Sequence, residues 1–234
     1  MSTEMPPAGR DPAAAAKLQI LATEHWSLLA TRTLTYNESL SRVTIFLSIL
    51  SGAVIALALV AQVSRFGPAF IAIAIPLLSV VVITGISTIG RLMQLNGDDF
   101  RWVVGMNRLR RAYLELHPEL EPYFMTSGHD DLPGALQTIG YPLATGRRVG
   151  SVLHTLQTLP GMLSVIVASV VGAIGALTAL ALGMPSWGVV LSAGAAFVIA
   201  MVWLTIWGRR GLRRPDPSLE PRFPSPPRES KANS

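Results

Sequence analysis

Four runs of the chain carry no ionisable side chain: Val43 to Val63, Pro68 to Gly90, Pro160 to Gly183 and Trp187 to Trp207. Each is about 20 residues or more, the length that crosses ~30 Å of hydrocarbon at ~1.5 Å per helical residue. Runs one and two are joined by Ser64 to Gly67, and runs three and four by Met184 to Ser186. Links this short force antiparallel helical hairpins. Pro68 and Pro160 suit a first helical turn, where a missing N–H does no harm. Pro76 falls inside the second run and predicts a kink.

The flanking pattern changes from uniformly apolar to periodic. Across Pro12 to Arg42, Leu18, Leu21, His25, Leu28 or Leu29, Arg32 and Tyr36 recur at helical spacing, so a helix is expected to run straight into the first span. After the second span, Phe100, Trp102, Met106, Leu109, Tyr113 and Leu116 form an apolar stripe, with Arg101, Arg108, Arg111 and Glu115 off it. That predicts an amphipathic helix of about 17 residues ending before Pro118. A hairpin makes the two flanking helices emerge side by side, and their stripes are expected to pack on each other as a coiled-coil-like stalk. The alternative burial is on the membrane surface or on a partner chain. Trp102, Met106, Leu109 and Tyr113 are the candidate cytoplasmic interface.

Residues 117–159 are rich in turn formers, as in HPELEPYF and TSGHDDLPG. They read as a linker region, with a short amphipathic helix over Thr145 to Thr158 leading into span three. Asp130 or Asp131 is expected to cap a helix. The tail, residues 208–234, holds Pro215, Pro217, Pro221, Pro224, Pro226 and Pro227 and is expected to be disordered. Residues 1–14 are read the same way. Arg10 and the alanines that follow lack the apolar core and cleavage site of a signal peptide.

Composition supports a lipid environment. Half of the 234 residues are hydrophobic and 14% are charged, against roughly 25% charged in soluble domains. Without cysteine, disulfides, thiolate metal sites and cysteine nucleophiles are excluded. The net charge of +5 sits mainly in the tail, where residues 208–234 hold seven basic and three acidic groups. Ten arginines (Arg32, Arg42, Arg91, Arg101, Arg147, Arg148, Arg209, Arg210, Arg213 and Arg214) flank the spans on one side, and Arg65 alone lies in the links on the other. By the positive-inside rule, both termini and residues 91–159 are expected in the cytoplasm, with the chain in the inner (plasma) membrane. Trp187 and Trp207 suit interfacial anchors. Arg209, Arg210, Arg213 and Arg214 are candidate lipid-headgroup contacts, though a topology signal with a solvated tail is the simpler reading.

The chemistry usual in membrane enzymes and pumps, ionisable groups within the spans, is absent. Hydroxyls such as Ser48, Ser51, Ser79, Thr84, Ser164, Ser169, Thr178 and Ser192 are expected to bond back to their own helices. Small residues recur every four positions: Ser48, Gly52 and Ala56 in span one; Ser164, Ala168, Gly172 and Ala176 in span three; Gly188, Ser192, Ala196 and Ala200 in span four. Such faces let backbones approach closely, either within one chain or in a homo-oligomer. His117 with Glu119 and Glu121, and His129 with Asp130 and Asp131, match no metal motif. No phosphate loop, HExxH or GxSxG occurs, and no basic-aromatic surface lies outside the tail. No enzyme activity, cofactor, metal or nucleic acid is therefore expected.

The segment RLMQLNGDDFRWVVGMNRLRRAYLELHPELEPYF, Arg91 to Phe124, resembles the post-hairpin segment of uncharacterised bacterial four-span membrane proteins. The layout of residues 15–116 is similar to two-span effector modules that accompany nucleotide-signalling conflict systems. That likeness covers under half the chain, and the second hairpin lies outside it. The expected fold is all-α and integral to the membrane: two transmembrane helical hairpins (43–63 with 68–90, 160–183 with 187–207) and a cytoplasmic helical stalk. The expected function is a non-enzymatic membrane anchor, interaction or sensory scaffold that binds a cytoplasmic protein partner. An oligomeric pore-like effector is the alternative.

Overall fold

The computed structural model describes residues 12–140, 158–211 and 219–226. Among the described residues the order is α1 (Pro12–Ser64), α2 (Pro68–Leu116), a 3-10 turn (Pro118–Tyr123), α3 (Leu132–Ile139), α4 (Leu159–Ala181) and α5 (Ser186–Gly211), with no strand. Helices α1, α2, α4 and α5 are long and apolar enough to cross a membrane, the architecture of a multi-pass membrane protein. The helix proposed over Thr145 to Thr158 lies almost wholly outside the described residues, as do most of residues 1–14.

The boundaries follow from local chemistry. Helix α1 ends where Arg65 and Phe66 turn to φ 48° and 59°, and Pro68 opens α2 without wasting an N–H. Helix α2 is one continuous element through Pro76 and on past the apolar run, so the amphipathic stripe after span two belongs to the same helix as the span. Thr158 caps α4, its hydroxyl accepting the Gly161 N–H at 3.2 Å. At the far end Gly183 takes φ 68°, and the Met184 N–H reaches back to the Ala179 carbonyl at 3.0 Å. That is a Schellman stop, for which glycine is suited because it lacks a Cβ.

The chain divides into two compact units. The first comprises the described residues within 35–98 and 158–211. Its core is Phe46, Val81, Ile89, Leu92, Leu163, Val167 and Leu204, each almost fully buried. Ile83, Val190 and Ile199 are 67%, 70% and 68% exposed. An apolar exterior of this kind is costly in water and natural in lipid. Helices approach closely at small residues: Gly172 meets Ala193 and Phe197, and Gly175 meets Ser192 and Ala196. Most span hydroxyls, among them Ser48, Ser79, Thr84, Ser164, Ser169 and Thr178, donate to their own helix four residues back. Ser192 departs from the expectation: it donates to the Gly175 carbonyl of α4 at 2.9 Å, because the glycine lets that carbonyl come within reach. Just beyond the apolar run, Glu38 accepts two bonds from Arg91, at 3.0 and 3.1 Å, and one from Arg42 at 2.8 Å. Arg91 first and Arg42 second pull its carboxyl down to about 2, so this pairing is ionised throughout physiological pH.

The second unit comprises the described residues within 12–34, 99–140 and 219–226. In it α1 and α2 meet at Arg32–Asp99 (2.6 Å), at Leu28 against Gly105, and at the His25 and Tyr113 rings, 6.2 Å between centroids. Asp131 caps α3, accepting the Gly134 N–H at 3.0 Å, and Gly140 closes that helix at φ 77°. Residues 117–140 therefore hold a 3-10 turn and a capped helix rather than a plain linker. The expectation of a disordered tail is corrected for residues 219–226, which are held against α2 and α3 by hydrogen bonds and by Leu219.

Two glycines separate packing from helix propensity. A Cβ at Gly85 would overlap Val167 Cγ2 and lie 2.9 Å from the Phe46 ring, whereas a Cβ at Gly52 meets nothing within 4 Å. Gly85→Ala is expected to lower stability by about 1–3 kcal/mol through overpacking. Gly52→Ala is expected to leave it unchanged or to raise it by up to about 1 kcal/mol through helix propensity. Thermal unfolding of the detergent-solubilised protein checks both.

Candidate functional site

The polar chemistry of the second unit converges on one face of α2 and α3. Helix α2 places Val103, Val104 and Met106 inward, and Asn107 between them, with none of its surface exposed. The Asn107 amide donates to the His129 carbonyl at 2.7 Å, and its oxygen accepts from Arg110 at 2.7 Å and Thr138 at 2.9 Å. A buried amide satisfied at both ends fixes the loop before α3 against α2. Gly134 is required there, since a Cβ would run into the His129 main chain.

This scaffold presents two adjacent carboxylates to the segment 219–226. Asp130, 1% exposed, accepts Arg108 Nε at 2.7 Å, the Arg222 N–H at 2.9 Å and the Phe223 N–H at 2.7 Å. Its own N–H donates to the Phe223 carbonyl at 3.3 Å. Arg108 also donates to the Glu220 carbonyl at 2.8 Å. Asp131, besides capping α3, accepts the Ser225 N–H and the Ser225 hydroxyl, both at 2.8 Å. Leu219 packs on the cluster of Val103, Val104 and Ala135. The site therefore grips main-chain groups at positions 220, 222, 223 and 225, and adds one apolar contact and one hydroxyl.

Burial alone would push the Asp130 carboxyl up. The Arg222 N–H, the Arg108 guanidinium and the Phe223 N–H outweigh it and hold the group below its usual value. Asp131 behaves alike: burial opposes, while the Ser225 and Gly134 N–H groups and the Ser225 hydroxyl prevail. Three buried ring nitrogens, His25 Nδ1, Trp102 Nε1 and His129 Nδ1, find no hydrogen-bond partner among the described residues. Burial and then the Arg110 charge lower the His25 pKa, which keeps that ring neutral.

The residues singled out from the sequence divide among several places. Met106 is buried, Trp102 and Tyr113 are half-buried, and Leu109 lines a shallow cleft with α1 residues Ala16 to Glu24. Ala168 and Gly172 are buried, and Ala176 is half-buried. Ser192 and Ala196 face Gly175. Gly52, expected to pack within one chain or between copies, has an open face among the described residues. Arg209 is exposed, while Arg213 and Arg214 lie outside the described residues and nothing is assigned to the Arg210 side chain. His117 pairs with Glu119 at 2.9 Å on an exposed turn. Compared with family models, curated proteins and solved structures, the chain matches none of them.

Sequence reasoning missed the partnership of Arg108 and Asp130 with residues 219–226. The available signal was the spacing of Leu219 and Phe223, the large apolar side chains of an otherwise polar, proline-rich stretch beyond Arg213. A lowered carboxylate pKa contributes stability above its unperturbed value and loses it as pH falls through the lowered one. Docking of 219–226 is therefore expected to be complete at neutral pH and to be lost on acidification below the ordinary aspartate range. The chain has no native cysteine, so a fluorophore on Pro226→Cys reports docking by its anisotropy. Asp130→Asn is expected to lower the anisotropy at pH 7 and flatten its pH dependence. Arg108→Met is expected to weaken docking by about 2 kcal/mol through loss of charge-assisted bonds.

Proposed function

We propose that this is a non-enzymatic membrane scaffold: a protein that crosses the plasma membrane four times as two helical hairpins and works through a cytoplasmic unit built for protein contacts. The observation that carries this reading is the grip of Asp130 and Asp131 on the main chain of another segment. Hydrogen bonds to peptide N–H groups, with an apolar side chain seated beside them, are the chemistry of polypeptide recognition. The contacts between α1 and α2 at Arg32–Asp99, Leu28–Gly105 and His25–Tyr113 support a cytoplasmic stalk that carries this face. The arginine bias across the spans supports both termini in the cytoplasm.

The pore-like alternative needs a polar lining or a dewetting constriction. Most span hydroxyls are turned back onto their own helices, and Ser192 is used between α4 and α5, which favours the scaffold.

Two measurements test the proposal. A reporter fused after Ser234 is expected to be active only in the cytoplasm. Purified protein in liposomes is expected to leave an imposed ion gradient intact. Activity of the reporter outside the cell would overturn the topology, and a protein-dependent leak abolished by Gly172→Leu would favour the pore.

A further inference from the structure

Helices α2, α4 and α5 form a groove of about 440 Å³ that opens on the exterior of the apolar unit, within the ~300–1,000 Å³ of ligand sites. Helix α2 contributes Ile86, α4 contributes Val167 and Val171, and α5 contributes Ala196, Ala200 and Trp203. Val167 is almost fully buried at its floor. Trp203, half exposed, makes one wall and stacks on Trp207 with 5.7 Å between centroids and 12° between planes.

The chemistry of the lining selects the kind of occupant. Every lining side chain is apolar, so an ordered water, which needs roughly two to four polar partners, has nothing to bond. A gap left empty forfeits the dispersion contacts of its walls. For helices that lie in hydrocarbon, the filler at hand is an acyl chain.

Position and charge select the lipid. From Ala196 to Trp203 the groove rises about 10 Å along α5, less than the ~15 Å depth of one leaflet. Arg209, which is exposed, lies a further ~9 Å along the axis, past the hydrocarbon and at the level of phosphates. Neither α4 nor α5 holds an acidic residue, and Glu38 is already bonded to Arg91 and Arg42. The charged end of α5 is thus complementary to an anionic headgroup. A second copy fits less well. Held in the same orientation by its arginines, it would bring like charge to the same level.

We propose that this groove is a lipid site, holding one acyl chain of an anionic phospholipid whose phosphate is met by Arg209. The site lies outside the cytoplasmic unit and stands whether or not that unit binds a partner.

Native mass spectrometry of the full-length protein, purified in detergent and offered phosphatidylglycerol or phosphatidylcholine, tests the site. Wild type is expected to retain one phosphatidylglycerol per chain and to prefer it about fivefold over phosphatidylcholine. Ala200→Leu fills the groove and is expected to lose the bound lipid. Val198→Leu, at a 56% exposed position outside the lining, is expected to keep it. Arg209→Gln is expected to keep a lipid but to lose the headgroup preference. A second readout leaves Ala200 untouched. In phosphatidylcholine liposomes with a minor fraction of phosphatidylglycerol brominated on its acyl chains, tryptophan quenching is expected to exceed that from brominated phosphatidylcholine at the same fraction. The excess is expected to vanish in Trp203→Phe. Equal retention by wild type and Ala200→Leu, or quenching that Trp203→Phe does not change, would overturn the groove as the site. Retention without headgroup preference would overturn the anionic lipid. A dimer in place of the lipid adduct, lost in Ala200→Leu, would give the groove to a second copy and overturn the lipid. Failure of the cytoplasmic scaffold is read separately, from the reporter and the ion gradient.

Discussion

Everything in this molecule follows from the cost of an unsatisfied peptide group in hydrocarbon. Each buried, unpaired N–H or C=O costs several kcal/mol, so a chain without charge over some twenty residues can enter lipid only with its backbone bonded to itself. That constraint overrides the β-branched content of runs such as VIALALV and SVVVITGIS, which in water would weaken a helix. It also explains why α1 and α2 extend without a break from the apolar runs into charged sequence. A helix already nucleated in the span propagates at little cost, and Glu38–Arg91 and Arg32–Asp99 tie the two together just beyond the change in composition.

The two units solve opposite problems. In the unit of apolar helices, association has little hydrophobic driving force, so within the apolar runs it relies on close approach at Gly85, Gly172 and Gly175 and on the interhelical bond of Ser192. In the other unit water is the competitor, and specificity comes from buried polar groups that must be fully paired. Asn107 and Asp130 show the consequence. Removing one partner leaves a desolvated group stranded, so the network has one stable arrangement and not several.

The sequence made the helices legible because charge-free length is a signal that survives without knowledge of tertiary structure. The link at Ser64 to Gly67 and the break before Pro118 were equally local, whereas the cap at Thr158 was not foreseen. Asp131 as a cap was legible for the same reason. What was hidden was non-local. Arg108 looked like a solvated residue off the apolar stripe, and Asp130 like half of an acidic turn; only the fold brings Phe223 to them. Prolines at 221, 224 and 226 argued correctly against a helix there, but proline prevents regular structure without preventing a segment from being held by a partner surface. Gly52 illustrates a different point: a small residue at the right spacing marks a capacity for close packing, and none of the described residues comes within 4 Å of a Cβ placed there.

The claim on which the rest depends is that apolar helices and charged helices are one continuous element crossing the lipid boundary. Single cysteines placed along α2 in otherwise cysteine-free protein, probed with a membrane-impermeant maleimide in oriented vesicles, test it directly. The account predicts protection from about residue 70 to 90, with labelling at exposed positions from Gln94 to Glu115 confined to the cytoplasmic face. Uniform labelling along the apolar run, or reaction of the 94–115 positions from the outer face, would contradict it.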